Sequence, residues 1–157
     1  MITAKTMIRV EEMEEKEIHT LLRRVGYGHL GLVNDTHPYV VPINYAYVDP
    51  DIYIFTTEGH KTEIIENNPE VCLQVEDVAD KNNWQSVIVL GDAVQLTNKE
   101  EIKRAMDFIL ATNPKLTPAL SIRWMDQWIR SNIEIIYRIT PTMITGRTTL
   151  APRNLKE

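Results

Sequence analysis

A single cysteine in 157 residues, Cys72, leaves no partner for an internal disulfide. The opening "MITAKTMIRV" has no apolar core of the kind a secretory leader carries, so the expected compartment is the cytoplasm. No stretch approaches the roughly 18 uninterrupted apolar residues of a membrane span. Runs of basic residues are missing too. With 17 Lys and Arg against 22 Asp and Glu, the net charge is −5. That leaves no basic face to neutralise phosphates, and nucleic acid is not an expected partner. There is no Gly-x-Ser-x-Gly elbow, Walker loop or dinucleotide fingerprint, so nucleophilic hydrolysis and nucleotide triphosphate chemistry have no support. None of the four histidines makes a helical or finger-like metal spacing. His19 on a predicted helix, His29 near a turn and His37 just before Pro38 each read as surface or capping residues. Cys72 falls in the apolar run "EVCLQVED", where a buried, inert thiol is expected.

What is present is an ordinary core-forming composition, 43% hydrophobic and 25% charged, which fits one domain over residues 1–157. In "EEMEEKEIHTLLRRV", Ile18, Leu21, Leu22 and Val25 recur at helical spacing behind a glutamate-rich first turn. Ile102, Ala105, Met106 and Ile109 do the same in "KEEIKRAMDFIL", and Leu120, Trp124 and Trp128 share a face further on. Between the first two helices the period is that of strands. "GHLGLV", "YVVPINYAYV", "IYIFTT", "VCLQVED" and "SVIVLGDAVQL" are rich in β-branched and aromatic residues. The joints "NDTHP" and "DPD" are short and turn-forming, so the first three strands are expected to form an antiparallel meander. "IEIIYRIT" places Ile133, Ile135, Tyr137 and Ile139 on one face, and "PTMITGRT" reads as a last short strand. The expected fold is mainly β: a small closed or nearly closed antiparallel barrel with peripheral helices.

One junction stands out. "FTTEGHKTEIIENNPEV" begins as a strand and continues as a helix whose first turn holds the basic pair His60 and Lys61. The helix dipole opposes cations there by roughly 0.3–1 kcal/mol per charge. A bound phosphate would reverse that, with the Thr56 and Thr57 hydroxyls, Gly59 and free helix N–H groups forming a cradle. A solvated basic pair near Glu58 and Glu63 is the other reading. Pro42 interrupts a continuous strand and Asn44 follows it; their backbone could serve a planar polar heterocycle, or Pro42 could mark an edge bulge. Trp84, Gln85 and Ser86 enter a core strand and could reach a ligand or simply end a loop. A loop spanning Ala79 to Asn83 could add to a substrate pocket. Gly91 within that core strand suggests a bulge or barrel corner.

The succession "YVVPINYAYV…IYIFTTEGHKTEIIENNPEVCLQVED…WQSVIVLGDAVQL…IYRITPTMITGRT" resembles the pyridoxamine 5′-phosphate oxidase-like flavoproteins. Within them it is similar to the short branch linked to nitroimidazole resistance. The resemblance implies a Greek-key split barrel, a homodimer, and FMN held where two subunits meet. It implies that Val41, Pro42, Ile43 and Asn44 run along the isoalloxazine, and that Thr56, His60 and Lys61 hold the phosphate with Phe55 beside it. Trp84, Gln85 and Ser86 would approach the flavin, while Arg147 would cover flavin or substrate or else close the last strand at the surface. The implied activity is oxidoreduction between a donor such as NAD(P)H and a small acceptor; the alternative is a flavin- or haem-binding module with a sensing or storage role. Many members of the short branch carry a histidine where this chain has Phe55, so action on those drugs lacks that support. The vitamin B6 oxidases carry a longer C-terminal region with substrate-binding arginine and histidine, so vitamin B6 oxidation is not expected here.

Overall fold

The computed structural model describes residues 8–56, 60–112, 119 and 135–150. Thr57, Ile133 and the expected helix bearing Leu120, Trp124 and Trp128 lie outside them. In chain order the elements are β1 (Arg9–Glu12), α1 (Glu15–Val25), β2 (Tyr27–Asn34), β3 (His37–Val48), β4 (Asp51–Thr56), α2 (His60–Asn67), β5 (Glu70–Asp80), β6 (Asn83–Gln95), α3 (Lys99–Thr112) and β7 (Ile135–Leu150). All pairings are antiparallel, in the order β1-β7-β4-β3-β2-β5-β6, and β6 also pairs with β7. Six strands therefore close a barrel, with β1 added outside on β7. The first three long strands form the expected meander, joined by two-residue turns at Asp35-Thr36 and at the cis Asp49–Pro50 bond. The step from β4 past β3 and β2 to β5, made through α2, is the Greek-key connection. Among the described residues no helix is long and apolar enough to cross a membrane.

The barrel follows from the two-residue period. Leu30, Leu73, Val75, Val87, Val89 and Ile139 point inward and are fully buried, while the residues between them face outward. Each Cβ must fit the closing geometry, and two inward positions admit none. A Cβ on Gly28 would lie 2.4 Å from the Gln74 carbonyl oxygen, and one on Gly91 would lie 2.5 Å from that of Thr140. Gly91 sits at the expected irregularity: the register shifts between Leu90 and Gly91, leaving Thr142 of β7 as the extra residue.

The helices close the open surfaces. Glu14 and Glu17 form a reciprocal capping box at the start of α1, and Gly26 ends it in the left-handed region at φ 67°. Ile18, Leu21 and Leu22 are buried in the barrel core. The Tyr45 hydroxyl donates to the Leu22 carbonyl at 2.8 Å, satisfying one of the acceptors a helix end leaves open. Asn98 caps α3 through the N–H groups of Glu100 and Glu101. Ala105 and Ile109 then pack on Ala46, Phe55 and Ile136 in a second cluster outside the barrel wall. Inside the wall, the Tyr137 hydroxyl is buried with no hydrogen-bond partner among the described residues, and burial pushes its pKa up. Tyr137→Phe is expected to raise the unfolding free energy by about 1 kcal/mol, read from urea or thermal melts; a loss of stability would show that the hydroxyl is bonded.

Four expectations need correction. "IEIIYRIT" and "PTMITGRT" are one 16-residue strand, β7; Pro141 does not end it because it falls beside the register shift, where the ladder is already disrupted. Ala79 to Asn83 is not a loop: β5 and β6 continue to Asp80 and Asn83 and meet in a tight turn. There the Asp80 carboxylate accepts the Asn82 N–H at 2.7 Å. His29 lies in the middle of β2, opposite Pro42. Cys72 is half-buried on the outer face and not in the core, although burial still pushes the thiol up.

Candidate functional site

A strand and a helix flank the expected junction, whose residues 57–59 lie outside the described ones. β4 ends at Thr56 and α2 begins at His60, with Ile64 and Ile65 buried against the barrel core. That anchorage fixes the helix start, and with it Lys61, against the wall. The Lys61 ammonium is half-buried, and burial pulls its pKa down. Among the described residues no carboxylate forms an ion pair with it. Glu58, one of the two acidic neighbours of the alternative reading, lies outside the described residues. A partly desolvated cation at a helix N-terminus suits an incoming anion.

Pro42 sits in regular β3 with no register shift, which removes the bulge explanation. The Tyr45 N–H donates to the Gly26 carbonyl at 3.0 Å. Backbone groups alternate sides along a strand, so those of Ile43 and Val41 turn toward β2, while those of Pro42 and Asn44 turn to the opposite edge. On that edge β4 pairs with β3 only over Tyr45–Val48. Proline thus removes no β2–β3 bond, and the Pro42 carbonyl faces outward beyond the end of the β4 pairing. Asn44 is buried. Phe55, expected beside the phosphate, has its side chain packed beneath α3.

The triplet Trp84, Gln85 and Ser86 divides between faces, as period two requires. Gln85 turns to α1 and reaches Glu17 at 3.5 Å. Ser86 faces outward, opposite Arg147 of β7, which is exposed. The Trp84 N–H donates to Thr149 Oγ1 at 3.0 Å. Ser86 and Arg147 stand apart from the β3 edge. From β3 to β6 the sheet order runs through β2 and β5, and the residue in register with Pro42 is Ile88, so Ser86 stands three strands away and two residues along. One chain therefore holds two separated groups of the expected site residues.

The missed residues lie between those groups. His29 Nδ1 is 3.4 Å from Gln74 Oε1, and Gln74 Nε2 donates to Ser86 Oγ at 3.2 Å. Tyr27 meets the His29 ring edge-on at 5.6 Å. Alternation within β2 and β5 could have placed these residues outward, but only the register between the strands brings them together. Around them the outer face is apolar. Val40, Gly31, Cys72, Leu90 and Met143 form one row across β3, β2, β5, β6 and β7; Val40 is 65% exposed and Met143 57%.

Comparison with known proteins agrees with this architecture. An uncharacterised protein from Rhizobium meliloti (strain 1021) is 33% identical over 82 residues, covering 52% of this chain and 54% of that one; the match thus spans about half of that relative's length. Among solved structures, an FAD-binding protein from Mesorhizobium loti superposes with a TM-score of 0.71 at 26% identity, over 91% of this chain and 98% of that one. A candidate 5-nitroimidazole antibiotic resistance protein from Bacteroides thetaiotaomicron gives a TM-score of 0.69 at 20% identity, over 90% and 89%. Residues 14–148 match the sequence profile described as pyridoxamine 5′-phosphate oxidase, so this split-barrel chain belongs to the pyridoxamine 5′-phosphate oxidase family.

Proposed function

We propose that the protein binds FMN as a homodimer and acts as a cytoplasmic oxidoreductase. The observation that carries this reading is Lys61, a half-buried ammonium without a described carboxylate partner. At the start of α2 it can hold a phosphate together with helix N–H groups, Thr56, Thr57 and His60. The backbone from Val41 to Asn44, directed partly away from β2, would orient the ring system by hydrogen bonding at its polar edge. Bound there, FMN would supply two-electron transfer between a reduced donor such as NAD(P)H and a small acceptor. The protein's part is to bind, orient and exclude water. The FAD-binding relative supports a flavin in this fold; the mononucleotide is proposed because Lys61 and the start of α2 would hold one phosphate.

The outer face supports the dimer. Ile88 at 42% exposure and Leu90 at 39% join Val40 and Met143 in an apolar surface larger than scattered exposed side chains explain. A second copy would cover it and bring Ser86 and Arg147 of one chain toward the β3 edge of the other.

The test is to purify the chain, add FMN or FAD, and record the visible spectrum, fluorescence quenching and light-scattering mass. Expected are stoichiometric FMN uptake, weaker FAD uptake, a dimer, and multiple turnover with NAD(P)H and a quinone. No flavin uptake rejects the reading. Uptake without turnover converts it to that of a non-catalytic flavin module.

A further inference from the structure

We infer that His29 and Gln74 are positioning residues of the flavin site, aiming the Ser86 hydroxyl at a flavin held by a second copy of the chain. This rests on the flavin and dimer reading above. The polarity of the chain of contacts carries it. An amide oxygen only accepts, so His29 Nδ1 holds the proton in its contact with Gln74 Oε1, 3.4 Å away. The Gln74 amide is thereby oriented with its Nε2 toward Ser86, where it donates to Oγ at 3.2 Å. With one lone pair engaged, the hydroxyl is left as a donor, and among the described residues it donates to nothing.

Three further features fix where that donor points. Ser86, Gln74 and His29 share the outer face through the registers Gln74↔Ile88 and His29↔Gln74. Arg147, opposite Ser86, adds a cation on the same face. Tyr27 packs edge-on against the His29 ring and limits its rotation. The acceptor matching a hydroxyl donor beside a guanidinium is an electron-rich carbonyl edge, as the flavin pyrimidine ring presents. Three strand steps in either direction around the six-stranded barrel separate β6 from β3, so Ser86 and Pro42 of one chain lie on opposite sides and the ring Ser86 serves is the one bound along β3 of a second copy.

The experiment uses the full chain loaded with FMN and reads the flavin midpoint potential and absorption maxima. Ser86→Ala is expected to weaken the preference for reduced over oxidised flavin about tenfold, a fall of about 30 mV for a two-electron couple. Gln74→Leu is expected to give most of the same fall, because the hydroxyl loses its orientation, and the double variant should fall no further than Ser86→Ala alone. Gln74→Glu keeps the shape but captures the Ser86 proton, so it too should match Ser86→Ala. It serves if the leucine variant fails to fold. Gln74 variants at the wild-type potential beside a shifted Ser86→Ala overturn the relay. An unshifted Ser86→Ala overturns it as well, and so does a flavin-loaded monomer. A wild-type chain that takes up no flavin is a different failure: it removes the site reading itself, and the relay with it.

Discussion

Lys61→Ala is expected to weaken FMN binding about a hundredfold, equivalent to roughly 2.7 kcal/mol, while riboflavin affinity changes little. The size follows from losing a charge-assisted contact to a phosphate in a partly desolvated corner. The selectivity follows from riboflavin having no phosphate. Titrations of both ligands into the apo-protein, followed by flavin fluorescence, measure the two losses side by side. Equal losses would move Lys61 from phosphate anchor to general structural support.

The same residue carries an opposite effect on the unliganded protein. Burial holds the folded-state pKa of Lys61 below its ordinary 10.5. The unfolded chain therefore binds more protons between those two values, and apo stability should rise with pH across that interval. Lys61→Met removes the half-buried charge, so it should stabilise the apo-protein at neutral pH while abolishing the gain that FMN gives the wild type. Melts with and without FMN read both signs.

Gly28→Ala is expected to cost about 3 kcal/mol, lowering the melting temperature by roughly 10 °C for a domain of this size. The new methyl would meet the Gln74 carbonyl oxygen at 2.4 Å and the Val75 side chain at 3.1 Å. The first contact is with backbone in a paired strand, so relief requires β2 and β5 to part where the barrel closes. Gly31→Ala is the control. Its added carbon would lie 3.5 Å from the Cys72 carbonyl oxygen and 3.6 Å from its Cβ, ordinary contacts, and stability should stay within about 0.5 kcal/mol of wild type. Equal losses at the two glycines would point to backbone freedom, not space, as the reason for glycine in β2.

Much of the barrel was legible because alternation is local. The five long apolar runs became β2 to β6, and the short joints forced antiparallel neighbours. β1 was not legible: "RVEE" is four residues with every side chain exposed, held as a strand by pairing with β7. β7 was read as two strands because proline normally ends one, and the compensating irregularity lies across the sheet at Gly91. For the site, the odd charge of the α2 start singled out Lys61 as a candidate from polarity alone, with a solvated basic pair as the other reading. The outward and inward turns of Ser86 and Gln85 were also readable from period two. His29, Gln74 and Ser86 were not joined, because 45 residues separate the first two and no local pattern encodes the register that aligns them.

β7 is the last of the described strands to be synthesised, yet β6 pairs with nearly its whole length, while β4 takes the first part of its other edge and β1 the last. A nascent chain still lacking β7 has the open edges of β4 and β6 and an apolar inner wall facing solvent, so the barrel cannot close while the ribosome is still making residue 135. Closure therefore waits on β7, and until that strand arrives the edges of β4 and β6 stay open to other strands.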